Sequence, residues 1–105
     1  MWRALSDPTR RRILDLLRAH PATTGELAAA FPEVTRFAVM KHLGVLEEVE
    51  LVLVRRKGRE RWNHLNPAPI RRIYERWMAP FAEEVAMTAS ALKRYAEERD
   101  DRRKR

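Results

Sequence analysis

The segment from Thr35 to Leu65 constrains the fold most, because it places a helical pattern directly ahead of a short and strongly basic hairpin pattern. In its first part, Val39, Leu43 and Leu46 recur at steps of three and four, which predicts an amphipathic helix. Thr35 is a suitable cap for the start of that helix. The order of the two patterns predicts a mainly α protein with a small β-hairpin, an α+β class.

The hairpin is predicted from a change of pattern after Glu50. Residues 51–54 form a short β-rich run, Lys57 and Gly58 provide the turn, and residues 59–65 return. The tip carries five cations, which are Arg55, Arg56, Lys57, Arg59 and Arg61. Such a tip can lie along a minor groove or against phosphates, although charge clusters are also common on solvated turns.

A first helix is predicted to begin at Ser6 or Asp7, with Pro8 in the first helical position, and to end near Ala19. Its core-facing residues recur at helical spacing; they are Ile13, Leu14 and Leu17. The helix also carries a run of three cations, Arg10, Arg11 and Arg12. One of these arginines can touch phosphate, but ion pairs with Asp7 or Asp15 are equally available at helical spacing.

A second, shorter helix is predicted from the capping box of Thr23 and Glu26 and runs to Ala30 before Pro32 stops it. Two helices joined by the short segment 31–34 form a helix-turn-helix, whose second helix enters the major groove of DNA. The predicted DNA-facing residues of that helix are Thr35, Arg36, Phe37, Met40 and Lys41, with His42 as a packed or phosphate-contacting neighbour.

The side chains of this flank suit base edges. Arg36 can pair with guanine, while Phe37 or Met40 can contact thymine methyl groups. The alternative is that Phe37 and Met40 are core residues of a helix rotated from this assignment. The two interpretations differ in whether these side chains are exposed.

The tail begins at the proline-bracketed step from Asn66 to Pro69 and is predicted to be a long helix that Pro80 kinks near Met78. Its apolar seam consists of Ile73, Tyr74, Trp77, Phe81, Val85, Leu92 and Tyr95. A second copy of the chain is the simplest cover for this seam, which predicts a homodimer. We expect residues 97–105 to fray, and we divide the single domain into a DNA-binding region, 1–66, and a C-terminal dimerisation segment, 67–105.

Composition narrows the classes of function. The 105 residues hold 22 Lys and Arg against 15 Asp and Glu, a formal net charge of +7, which favours polyanionic partners. There is no cysteine, and no stretch reads as a signal peptide or a membrane span, so a cytoplasmic address is expected. The histidines His20, His42 and His64 are scattered and no nucleophile has a base beside it, so we expect no enzyme.

Three stretches carry a resemblance to a known family. Residues 4–17, ALSDPTRRRILDLL, resemble the opening helix of the ArsR-type winged-helix repressors. Residues 35–52, TRFAVMKHLGVLEEVELV, are similar to the family's recognition helix, and residues 55–67, RRKGRERWNHLNP, to its wing. The resemblance implies a homodimeric repressor that binds a palindromic operator in double-stranded DNA.

Three departures limit that resemblance. Thr23 and Gly25 stand where metal-sensing members have cysteines, and residues 67–105 contain no histidine for a second kind of metal site. The glycine that usually follows the recognition helix is replaced by Glu50, which implies either strain or different dihedral angles at that turn. We therefore expect no metal and no cofactor, and a small-molecule inducer stays undefined.

Other functions compete with this interpretation. The aromatic seam could bind a different helical protein, or the basic charge could serve an RNA or a nonspecific nucleic-acid binder. Trp62, Tyr74 and Trp77 could also line a small-molecule pocket, although aromatic residues at this spacing are more often part of a dimer core. The oligomeric state and the sequence preference for DNA separate these alternatives.

Overall fold

The computed structural model describes residues 1–103, which form a mainly helical protein with one small antiparallel sheet. In chain order the elements are α1 (Trp2–Leu5), α2 (Pro8–Ala19), β1 (Ala22–Thr23), α3 (Thr24–Ala30), α4 (Arg36–Glu48), β2 (Val52–Lys57), β3 (Glu60–Leu65), α5 (Ala68–Ile73), a π-helical segment (Tyr74–Met78) and α6 (Ala79–Arg103). The predicted α+β class and the order of helix, turn, helix and hairpin are confirmed.

Local capping residues set the starts of the first three of the four helices that the sequence predicts. The Asp7 carboxylate accepts a hydrogen bond of 3.0 Å from the amide of Arg10, ahead of Pro8 in the first position of α2. The hydroxyls of Thr23 and Thr35 each accept a 3.1 Å bond from the amide three residues later. Each cap satisfies an amide that the helix itself leaves without a partner.

One hydrophobic core joins α2, α3 and α4 to the base of the sheet. The six predicted core residues of the first and third predicted helices are buried; they are Ile13, Leu14, Leu17, Val39, Leu43 and Leu46. Leu27, Phe31, Leu51 and Val52 complete the centre of this core. Burial of each large apolar side chain contributes about 1.5–3 kcal/mol to the stability of the fold. Because the core holds one side of α4 in this way, it also fixes which side of the helix is exposed.

Helix α4 ends in a Schellman motif with a glutamate in the left-handed position. The amide of Leu51 donates to the carbonyl of Leu46 (2.9 Å), and the amide of Glu50 donates to that of Glu47 (3.0 Å). Glu50 has a φ of 63°, so the chain keeps the turn that glycine would favour. Asn66 fixes this turn from the other side, since its side-chain amide donates to the Glu50 carbonyl at 2.9 Å.

The sheet has three strands in the order β1-β3-β2, one more than the predicted hairpin. Strand β1 contributes only Ala22 and Thr23, which are too few residues to give an alternating pattern in the sequence. Its place is fixed by Asn63 of β3, a fully buried residue whose amide donates to the Ala22 carbonyl (3.2 Å) and the Thr24 hydroxyl (3.1 Å). Helix α3 therefore starts directly after a strand.

The hairpin turn lies one residue later than the sequence pattern predicts. Lys57 pairs with Glu60, which leaves Gly58 and Arg59 as the two loop residues instead of Lys57 and Gly58. Gly58 has a φ of 64° and Arg59 has no positive φ, the sign pattern of a type II′ turn. The right-handed twist of the two strands favours such a turn over types I and II.

Helix α1 was not predicted, and arginines of α2 explain its position. Arg10 donates from Nε to the carbonyl of Ala4 and from Nη2 to that of Arg3, both at 2.9 Å. Arg11 donates to the carbonyl of Leu5 at 2.7 Å. These bonds satisfy carbonyls at the end of α1, so two of the three consecutive arginines serve the fold rather than ion pairs with aspartate.

The tail shows the predicted break before Pro80. The π-helical segment Tyr74–Met78 stands immediately ahead of it, where the missing amide and the ring of a proline disturb ordinary α-helical bonding. Helix α6 then continues to Arg103. The expected fraying from residue 97 is therefore wrong for residues 97–103. Lys104 and Arg105 lie outside the described residues.

The chain divides into two compact units, one spanning Met1–Ile70 and the other starting at Arg71. In the second unit the seam residues Tyr74, Trp77, Phe81, Val85, Leu92 and Tyr95 are exposed, and Ile73 is half-buried. Within residues 1–103, no helix combines the length and the apolar character that crossing a membrane requires.

Candidate nucleic-acid interface

The outward side of α4 carries the predicted DNA-facing residues. Arg36 and Lys41 are exposed, and so are the apolar side chains of Phe37 (68%) and Met40 (47%). The alternative that Phe37 and Met40 belong to the core is therefore wrong. The ammonium of Lys41 lies 4.8 Å from the centre of the Phe37 ring, a cation–π contact that holds both side chains on the same exposed flank.

Phe31, the residue that ends α3, is buried in the core and holds the turn between α3 and α4. Its carbonyl accepts a 3.0 Å bond from the Val34 amide, and the Arg12 guanidinium lies 4.7 Å from the centre of its ring. Arg12 also pairs with Glu33 at 2.9 Å. The backbone amide of Glu33 and then Arg12 lower the pKa of the Glu33 carboxyl. The third arginine of the run thus braces the turn, a role that its spacing did not predict.

His42 lies at the edge of this flank and is mostly covered, with its side chain 20% exposed. Its Nδ1 atom is 3.2 Å from Nη1 of Arg10 and 3.8 Å from a carboxylate oxygen of Asp7. The hydrogen bond from the Arg10 amide is the largest cause that lowers the pKa of Asp7, and the charges of His42 and Arg10 add to it against partial burial. This cluster joins the start of α2 to α4, so His42 fits the packed role among the two that the sequence allowed.

The five cations of the hairpin do not share one face. Arg56, Arg59 and Arg61 line a groove of about 400 Å³, together with Arg36 and Met40 of α4. Residues 23–25 close the groove at the start of α3, and Glu60 is the one acid among its lining residues. The structure thereby gathers cations from the hairpin and from α4 around one groove, where a phosphate backbone can be held by several charges at once.

Arg61 differs from the other cations of this groove, because its guanidinium pairs with the carboxylate of Glu47 on α4. Its Nε atom is buried and has no hydrogen-bond partner among the described residues. Arg61 therefore braces the hairpin against α4 and is less available to a ligand than Arg56 or Arg59. Glu47 was not singled out in the sequence, since a pair 14 positions apart depends on the register of the hairpin.

Arg55 and Lys57 lie on the opposite, outer face of the hairpin. With Pro21, Trp62 and His64 they line a separate hollow of about 490 Å³. The alternation of side chains along a strand explains the separation, because Arg55 and Lys57 flank Arg56 in β2. The same alternation can be predicted from the sequence alone, and it places Arg55 and Lys57 on one face of the hairpin and Arg56 on the other.

The arrangement of the first unit suits the binding of nucleic acid. Among residues 1–103 no three His, Asp or Glu side chains come together in a way that could hold a metal ion. What the first unit offers is a helix with an exposed, mixed cationic and apolar flank beside a groove that is rich in arginine. Those are the features by which a protein holds a phosphate backbone and reads base edges.

Comparisons with known proteins agree with this geometry. Residues 5–55 match the family model described as a helix-turn-helix domain. The chain is 38% identical over 66 residues to the transcriptional repressor SdpR of Bacillus subtilis (strain 168), which covers 63% of this chain and 72% of that protein.

Solved structures extend the likeness beyond that domain. The crystal structure of an ArsR family transcriptional regulator has a TM-score of 0.71 and 34% identity, over 81% of this chain and 91% of that one. An ArsR-like transcriptional regulator from Rhodococcus sp. RHA1 has a TM-score of 0.70 and 32% identity, over 91% and 86% of the two chains. The chain belongs to the ArsR-type winged helix-turn-helix transcriptional regulators.

Proposed function

We propose that the protein represses transcription as a homodimer bound to a palindromic operator. The observation that carries the proposal is the shared groove, in which Arg36 of α4 and Arg56 and Arg59 of the hairpin line one surface beside an exposed reading flank. A duplex held in that groove would meet helix and hairpin together. The repressor SdpR among the relatives supports repression rather than activation.

The two elements have different tasks in this proposal. Arg36, Phe37, Met40 and Lys41 read base edges in the major groove, because an exposed helical flank with both charged and apolar groups can meet guanine acceptors and thymine methyls. Arg56 and Arg59 hold phosphate, which adds affinity without sequence information. Arg55 and Lys57 contribute less, since they lie on the outer face.

Dimerisation is proposed from apolar surfaces that a single chain leaves uncovered. The seam of the tail carries large exposed side chains, among them Trp77 (66%) and Phe81 (67%). The first unit also has an apolar groove of about 870 Å³, whose lining includes Leu5, Leu14, Leu17, Leu65 and Ile70. Exposed apolar surface of this extent is uncommon on monomers and is covered most simply by a second copy.

Selection of bound duplexes from a random library tests the reading role. We expect a symmetric consensus with two half-sites, since a twofold dimer places its two reading helices symmetrically on one duplex. Arg36→Ala should relax the preference at particular positions and cost about 1–3 kcal/mol, whereas Arg56→Ala should weaken all duplexes alike and reduce the salt slope by about one.

Lys93→Gln is the matched control, because it removes one exposed charge from the tail and Lys93 is not among the residues that line the groove. It should leave the sequence preference unchanged. Equal binding of selected and random duplexes by the intact protein would refute sequence reading by α4. A protein that stays monomeric at high concentration, or pairs only with a different protein, would refute the homodimer.

A further inference from the structure

We propose that the outer face of the hairpin is a binding site for a small aromatic carboxylate. The hollow there, defined by Pro21, Arg55, Lys57, Trp62 and His64, has a volume of about 490 Å³. Ligand sites in proteins have volumes of roughly 300–1,000 Å³ and combine apolar walls with a few polar groups. The hollow lies wholly within the first unit of the chain.

The apolar part of the hollow is built from the sheet and the segment before it. Trp62 and His64 are half-buried and point to the same face of β3, because side chains two positions apart on a strand share a face. Pro21 borders them just ahead of β1. The half-buried indole of Trp62, which lines the hollow together with Pro21, can stack against a flat aromatic ligand.

The charged part lies on the neighbouring strand. Arg55 is the direct cross-strand partner of Trp62, and Lys57 is two positions further along the same face. No acidic side chain is among the residues that line the hollow. Glu60, the direct cross-strand partner of Lys57, lines the groove beside α4 instead and makes no ion pair with Lys57 among the described residues. In the part of the chain that the structure describes, neither cation makes an ion pair, whereas Arg61 on the inner face is paired with Glu47.

The combination selects one class of ligand. A carboxylate on an aromatic ring can accept hydrogen bonds from the Arg55 guanidinium while the ring stacks on Trp62. An aromatic amine would face two like charges, and a small aliphatic acid would leave the indole uncovered. Lys57 adds a second donor at the rim of the same hollow.

Occupancy would also change the hairpin as a DNA-binding element. A bound carboxylate would partly neutralise Arg55 and Lys57, which lie on either side of the groove-facing Arg56 in β2. This consequence rests on the proposed function, because it requires that the hairpin hold DNA. Binding itself does not, so we test it on the protein alone.

The experiment is isothermal titration calorimetry of the full chain, without DNA, using 2-naphthoate as the probe. We expect saturable binding that the double substitution Arg55→Gln/Lys57→Gln weakens at least about tenfold, since both charged hydrogen-bond donors are lost. Trp62→Leu should weaken it as well by removing the stacking surface. Arg56→Gln is the matched control, with the same loss of charge on the same strand but the opposite face, and should bind as the unsubstituted protein does.

Three results would overturn the site. They are absence of binding at millimolar probe, equal binding of 2-naphthylmethylamine, and equal weakening by Arg56→Gln and by the double substitution. Unfolding curves check that the glutamine variants fold, which is expected because the charged ends are exposed. If the probe binds as expected but no operator is ever found, the proposed function fails while the site stands.

Discussion

Replacing Glu50 by glycine should stabilise the protein, because this residue follows α4 with a φ of 63°. An L-residue in the left-handed region brings its Cβ atom close to the next carbonyl oxygen, at a cost of about 1–2 kcal/mol. The two hydrogen bonds of the Schellman motif and the bond from Asn66 hold the residue there. With glycine at this position the same three hydrogen bonds can form without that strain.

The expected gain in the free energy of unfolding is smaller than the strain energy that is removed, since glycine loses more conformational freedom on folding than other residues do. That loss is roughly 0.5–1 kcal/mol, which leaves a net stabilisation of about 0.5–1 kcal/mol. For a chain of this size the gain corresponds to a rise of roughly 2–8 °C in Tm. Thermal and urea unfolding at one fixed protein concentration would measure it, because a dimer's stability depends on concentration.

Glu50→Ala separates strain from charge. Alanine removes the carboxylate but keeps the Cβ atom and its strain. The free energy of unfolding of this variant should therefore exceed that of the unsubstituted protein by no more than about 0.5 kcal/mol. Stabilisation by alanine equal to that by glycine would mean that the charge of Glu50, rather than its backbone, is unfavourable. A destabilising glycine would refute the reasoning about strain altogether.

Three further predictions concern other contacts. The pKa of the Asp7 carboxyl is lower in the folded protein than its ordinary value of 3.8. Asp7 therefore stabilises the protein at pH values above 3.8, and this contribution is lost as the pH falls through the pKa of the folded state. Asp7→Asn, which keeps a capping oxygen, should therefore flatten the acid side of the stability curve, and identical acid limbs would contradict this. Glu47→Gln should cost about 0.5–1 kcal/mol and speed amide exchange in the hairpin, because it breaks the ion pair with the hairpin arginine; unchanged exchange would count against that brace. Trp77→Ala/Phe81→Ala should give monomers in sedimentation velocity, whereas Met87→Ala, equally exposed but off the seam, should not; a double variant that still dimerises would exclude the seam as the interface.

The parts of the fold that could be predicted are those whose causes are local in the sequence. Asp7, Thr23 and Thr35 cap helices through atoms three residues away, and helical spacing of apolar residues identifies the buried sides. Strand β1 and helix α1 depend on partners far along the chain. Asn63 and Arg10 hold these two short elements, and no local pattern gives those contacts.

In the candidate interface, too, the features that could be predicted are those with local causes in the sequence. The exposure of Phe37 and Met40 could be predicted because it depends only on the phase of α4. The pairing of Arg61 with Glu47 could not, since it depends on how the hairpin lies against the helix. The separation of Arg55 from Arg56 lies between these cases, because strand alternation alone would have indicated it.

The two ties between hairpin and α4 have a mechanical consequence. Asn66 binds the turn at the end of α4, and Arg61 binds Glu47 on its last turns, so the base and the flank of the hairpin are both attached to the same helix. Tilting the hairpin while α4 stays still would break both contacts. A displacement of α4 therefore carries the hairpin with it as long as both contacts hold, so the two elements change orientation together.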